Sequence, residues 1–141
     1  MVFLMIPGKP IAKKRPRFAR RGNFVKTYND QETEEGRFLW EVRQQWQDEP
    51  MKGAVSIEMR FYTQRPKSHF RSNGQLSAKA TGFPIGRPDV DNMVKFVLDC
   101  LNGCTWTDDA QVVTMVALKL FAKEGKPRTE IEIRTAEEYA I

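Results

Sequence analysis

Residues 87–113 read RPDVDNMVKFVLDCLNGCTWTDDAQVV. Val94, Val97, Leu98 and Leu101 recur at helical spacing and form one apolar stripe, so a helix that buries one side is predicted here. Pro88 and Asp89 close an extended segment, Asp89 or Asp91 stands where a cap is needed, and Asn102-Gly103 supply the stop. Lys95 follows Asp91 by four residues and shares its helix face. The apolar, β-branched run 112–121 reads as a buried strand, with Asp108 and Asp109 at its entrance. Strand neighbours point to opposite faces, so only one of Asp108 and Asp109 is expected to look into a site there. Helix start and strand start are expected to meet at one rim of a sheet. Carboxylates at this density repel one another unless a cation lies between them, and a hard divalent ion such as Mg²⁺ takes oxygen ligands of this kind.

Outward from this stretch, charge is unevenly spread. The 141 residues fit one domain with a sizeable core, 40% hydrophobic and holding three Trp. The net charge is +5 and the isoelectric point about 9.4. Residues 9–26 hold eight bases (Lys9, Lys13, Lys14, Arg15, Arg17, Arg20, Arg21 and Lys26) and no acid, which leaves −3 for the rest. Residues 64–88 add Arg65, Lys67, Arg71, Lys79 and Arg87, again with no acid. Two acid-free basic stretches, both preceding the carboxylate cluster, favour a polyanionic partner over a solvated charged surface. No stretch approaches the roughly 20 apolar residues of a membrane span, and the opening MVFLMIPG is too short for a signal peptide. Cys100 and Cys104 are poorly spaced for a disulfide along a helix and are expected as reduced thiols.

Residues 2–6 read as a first buried strand. The arm at about 9–28, dense in charge with Pro and Gly, reads as a loop or extended segment, with Phe18, Phe24 and Tyr28 available to stack on bases. A helix is predicted over 30–48, capped by Asp30 or Thr33. Glu32, Glu34 and Glu35 complement its dipole, and Trp40 and Trp46 are assigned to core or interface. Alternation over 54–62 predicts a half-exposed strand. The aperiodic loop at about 64–88 reads as a mobile basic flap with His69 and Phe70 near its tip, His69 being expected as polar surface. A turn at 124–128 precedes a strand at 129–135, expected as the hairpin partner of 112–121, and the tail EEYAI is expected to fray. The order β-α-β-loop-α-β-β predicts a single α+β domain over 1–141, with a four-stranded mixed sheet and two helices.

D-x-D-N with Lys four residues after the second Asp, a hydrophobic helix and then DDAQV together resemble the RusA family of Holliday junction resolvases. The elements are Asp89, Asp91, Asn92, Lys95 and Asp108 to Val112. The likeness is tight over 85–121 and looser outside it. It implies a crossover junction endodeoxyribonuclease of DNA recombination and repair, cutting four-way junctions by paired symmetric incisions. Asp89, Asp91 and Asp109 match the family's metal-binding acids, which would hold Mg²⁺, with Mn²⁺ as a substitute. Asp108 is secondary, and Lys95 matches the family's lysine, suited to stabilising charge on the reacting phosphate. Lys13, Lys14, Arg15, Arg17, Arg20, Arg21 and Arg87 would contact the DNA backbone, and Asn92 would either touch it or orient a carboxylate. The resemblance also implies a homodimer in a bacterial cytoplasm, in keeping with the family's phage and prophage occurrence, with no membrane partner and no small-molecule cofactor. Two other classes remain: a non-catalytic DNA-binding module whose acids serve only as caps and turns, and a metal-dependent nuclease acting on flaps or single strands.

Overall fold

The computed structural model describes residues 1–14, 17–22, 24–28 and 31–136. Strands β1 (Val2–Pro7), β4 (Val55–Thr63), β5 (Val112–Phe121) and β6 (Arg128–Thr135) form one sheet in the order β1-β6-β4-β5. β2 (Arg17–Arg21) and β3 (Phe24–Tyr28) form a separate two-stranded ribbon. α1 (Glu32–Gln45) lies against β1 and α2 (Val90–Leu101) against β5. β6 pairs antiparallel with both β1 and β4, while β4 and β5 run parallel. The architecture is therefore the expected α+β arrangement of a four-stranded mixed sheet with two helices.

Period-two patterning explains the single core. In β4 the inward residues Val55, Ile57, Met59 and Phe61 are buried, and Ile57 and Met59 face Ile133 and Ile131 of β6 across the ladder. Both helices close over these residues, and Phe38 of α1 meets Phe96 of α2 edge-on, with ring centroids 5.5 Å apart. The opposite sheet face carries charge. Arg60 pairs with Glu58, Glu130 and Glu132, and Arg128 pairs with Glu130 while stacking 3.8 Å over Tyr62. The Glu130 carboxyl is pushed up by burial, but hydrogen bonds from Arg128 and Arg60 outweigh this and leave it below its ordinary value.

The structure refines or corrects several expectations. The arm is extended where it is described and pairs with itself: Arg21 of β2 stands opposite Phe24 of β3, and Gly22 follows β2 with φ 58°. β6 is not the hairpin partner of β5, because it is inserted between β1 and β4 and buries Thr129, Ile131 and Ile133 there. β5 is not a buried strand but an edge: Val113 is 60% exposed, Met115 and Val116 50%, Leu118 39%. Of the two tryptophans assigned to core or interface, Trp46 packs against the core and Trp40 is 59% exposed, outside the core. α1 starts from Gln31 rather than from Thr33, and Asp30 lies outside the described residues, as do Arg15 and the tail 137–141.

The 64–88 loop is held down rather than splayed. Arg65 donates to the Thr81 carbonyl at 2.7 Å, stands 3.2 Å from His69 Nδ1 and stacks 4.1 Å over Phe121. His69 itself packs edge-on to Phe121, so the tip is the turn at Asn73-Gly74 and not His69. Lys119 Nζ donates to the Gly86 carbonyl at 2.6 Å, which ties the loop's end to β5.

Candidate active site

Two parallel neighbouring strands joined by a helix require that helix to run back along the sheet. α2 does so, and this separates the acids that the sequence suggested would meet. Asp89 and Asp91 sit at its N-terminal end, near the final residues of β4 and β5. Asp109 sits beyond its C-terminal end, where the backbone N–H of Asp109 donates to Asn102 Oδ1 at 3.0 Å. Twelve helical residues at 1.5 Å each put about 18 Å between the two groups. Among the described residues no three His, Cys, Asp or Glu side chains lie close enough to share a metal ion. Within one chain, then, the three carboxylates do not fit a common ion.

Each end is nonetheless built. Asp89 is the N-cap residue of α2 with extended backbone and no side-chain cap hydrogen bond. Asp91 lies in the first turn, and Asp91 and Lys95 are both exposed, one helical turn apart. The buried face of α2 is carried by Met93, Val94, Phe96, Val97, Cys100 and Leu101, which turns the Asp91–Lys95 side to solvent.

At the far end a web of hydrogen bonds fixes the DDAQ turn. Asp108 caps a short 3₁₀ turn, accepting from Ala110 N–H at 3.0 Å. Gln111 Oε1 accepts from the Thr107 and Asp108 N–H groups, and its Nε2 donates to the Met51 and Gly53 carbonyls. Asp109 Oδ1 accepts from the indole N–H of fully buried Trp106 at 2.8 Å. Asp108 and Asp109 thus both precede the strand, but the side chain of the first caps the turn while a buried tryptophan aims that of the second. From sequence Asn102 read only as a helix stop, Gln111 only as a member of the DDAQV run, and Trp106 had no reading of its own.

A cleft of about 630 Å³ opens beside the N-terminal end of α2. Lys9, Arg87 and Lys119 line it together with His69, Pro88 closes it just before Asp89, and no carboxylate is among its lining residues. Lys119 escaped the sequence reading because it sits in an apolar run. The arm bases behave differently. Lys13 Nζ lies 3.0 Å from Asp99 and 3.3 Å from Glu35, and its N–H donates to the Asn92 carbonyl at 2.8 Å. Burial pulls the Lys13 ammonium down, but hydrogen bonds to Asp99 and Glu35 outweigh it and raise its pKa. Lys14 pairs with Glu34 at 3.5 Å, and its N–H donates to the side chain of buried Gln31. These two lysines bind the arm to α1 and α2. Arg17, Arg20 and Arg21 stand in β2, their side chains outside the described set.

Both cysteines are free thiols. Burial, reinforced by the charge of Glu35, pushes Cys100 up to about 12, far from a reactive thiolate. No helix among the described residues is long and apolar enough to cross a membrane.

Known proteins are similar to this sequence over nearly its whole length. The family model described as Endodeoxyribonuclease RusA matches residues 7–134. The uncharacterized protein YqaN of Bacillus subtilis (strain 168) is 34% identical over 131 residues, covering 90% of this chain and 91% of its own.

Proposed function

Since the chain belongs to the RusA endodeoxyribonuclease family, we propose that it is a Mg²⁺-dependent enzyme that resolves four-way DNA junctions as a two-fold homodimer, by paired incisions. The observation that carries this reading is the separation of Asp89 and Asp91 from Asp109 along α2. One chain cannot complete the ligand set, but a two-fold partner whose α2 runs antiparallel brings its own Asp109 to the first chain's Asp89 and Asp91. The same operation builds a second, identical site. Two equivalent sites suit a four-way junction, which has approximate two-fold symmetry and needs cuts on two opposed strands.

Within each such site the division of labour follows from charge and position. A bound Mg²⁺, or Mn²⁺ in its place, supplies an activated water and neutralises charge on the phosphate. Lys95, one turn from Asp91 and exposed, offers a compact positive charge to the phosphate as it gains negative charge. Lys9, Arg87 and Lys119 make the adjoining cleft attractive to the DNA backbone without reading bases. Asn102 and Trp106 hold Asp109 in place by hydrogen bonds to its backbone and its carboxylate.

Subunit mixing tests the composite site. Asp91→Asn and Asp109→Asn are each expected to bind junctions and fail to cut them. Combined in one heterodimer, they leave one site with both changes and one site wild type. The mixture is expected to nick one strand of a junction without resolving it. A mixture as inactive as its parents would place all three acids in one chain and overturn the arrangement. Junction, fork, duplex and single-stranded DNA compared at equal concentration test the substrate, and preference for fork or single strand would make the enzyme a nuclease of that class instead.

A further inference from the structure

The cleft beside the N-terminal end of α2 is larger and more apolar than a phosphate needs. Its volume of about 630 Å³ falls within the range of sites for whole small molecules. Lys9, Arg87 and Lys119 bring positive charge to it, but Phe121 and the rings of Pro66, Pro84 and Pro88 are part of the same lining. A ligand that uses both has an anionic end and a flat apolar body.

The loop that walls this cleft is pinned before any ligand arrives. Arg65 holds the Thr81 carbonyl, His69 packs edge-on to Phe121, and Lys119 holds the Gly86 carbonyl. Polar side chains of the lining are engaged within the protein: the Thr81 hydroxyl donates to the Phe83 carbonyl at 2.7 Å, and His69 Nδ1 faces Arg65 Nη1 at 3.2 Å. Rings and cations are therefore offered to a ligand, with few groups left to read a hydrogen-bonding pattern. A site held open in this way binds without the ordering cost that a loose loop adds.

Position supplies the identity of the ligand. Pro88 lines the cleft and is bonded to Asp89, and consecutive Cα atoms lie only about 3.8 Å apart. A DNA strand held at Asp89 and Asp91 thus has its neighbouring nucleotide at the mouth of the cleft. A base enters only by leaving its stack, which costs least where pairing or stacking is already broken, as at the crossover of a four-way junction. Stacking on a ring then holds any base without regard to sequence.

We propose that the cleft is a nucleotide subsite, taking one base turned out of the stack next to the scissile phosphate, with that nucleotide's own phosphate on Lys9, Arg87 and Lys119. Placing the nucleotide in a junction rests on the nuclease reading; the affinity of the cleft for a nucleotide does not.

Titration of the isotope-labelled chain with thymidine monophosphate, followed by nuclear magnetic resonance without DNA or metal, tests the site itself. Binding is expected at roughly millimolar concentration, with shifts at His69, Thr81, Gly86 and Lys119. Inorganic phosphate and thymidine are each expected to bind at least about fivefold more weakly, since each has only half of the ligand. Lys119→Met is expected to weaken the nucleotide about tenfold, and Arg87→Met replaces it if that variant loses its folded spectrum. Equal affinity for inorganic phosphate, shifts confined to residues outside the cleft, or an unchanged affinity in the variant would each overturn the site. In a junction carrying iododeoxyuridine at successive positions around the crossover, irradiation is expected to join the position next to the cut to the segment holding His69 or Phe121, as mapped by mass spectrometry. A bound junction that crosslinks only elsewhere would overturn the extrusion. A chain that binds the nucleotide yet cuts no junction would overturn the nuclease reading and leave the subsite standing.

Discussion

Lys95 separates catalysis from binding more cleanly than any other side chain of the site. An ion-pair partner on an exposed helix face is worth roughly 0–1 kcal/mol, so Lys95→Ala is expected to leave the melting temperature nearly unchanged. If the lysine acts on the developing charge, single-turnover cleavage at saturating protein and Mg²⁺ falls by about 10²-fold or more while junction affinity holds. Recovery of the wild-type rate once binding is saturated would make Lys95 a ground-state anchor instead. The relation of Lys95 to Asp91 was legible in the letters, because four residues along a helix make one turn. The Trp106–Asp109 hydrogen bond was not legible: nothing in the letters ties an indole to the acid three residues on, and only the folded turn shows that its N–H points at the acid.

At the level of elements, the β4–β6 pair makes stability depend on pH. Glu130 takes hydrogen bonds from Arg60 and Arg128 and is held below its ordinary 4.5, so it stabilises the fold when ionised. That contribution is fully present above the unfolded value and is lost as pH falls through the lower folded one. Thermal unfolding followed from pH 7 downward is expected to show a melting temperature that drops below pH 4.5, with a shallower drop over the same window in Glu130→Gln. Equal slopes in the two proteins would mean that the network contributes nothing. Element identity was well marked in sequence, since β4 alternates, α2 carries an apolar stripe and β5 spans the expected 112–121. Neighbour relations were not. Continuous apolarity reads as a strand covered on both faces, but β5 is an edge of the described sheet with exposed apolar residues, and a single sequence does not say which strand β6 will enter beside.

At the scale of the whole molecule, two groups of cations have different roles, and salt dependence tells them apart. Lys9 and Arg87 line the acid-free cleft, whereas Lys13 is engaged with Asp99 and Glu35. Replacing Lys9 and Arg87 with alanine is expected to lower the log–log salt slope of junction binding by about 0.9 per lost phosphate contact. Lys13→Ala is expected to leave the slope intact and to destabilise the fold by about 1 kcal/mol. A slope that flattens with Lys13→Ala would return the arm to the role its charge density suggested. That density was visible in the sequence; its neutralisation by acids from two helices was not, because those partners come from far along the chain. The separation of acids along α2 has one more consequence. In a symmetric pair the helix becomes a spacer of fixed length between two cutting points, with no loop to adjust it. DNA must then deform to bring both scissile phosphates to that spacing, and steps that kink easily do so at lower cost. A preference for certain dinucleotides at the cut would arise from the stiffness of the junction rather than from any side chain that reads a base.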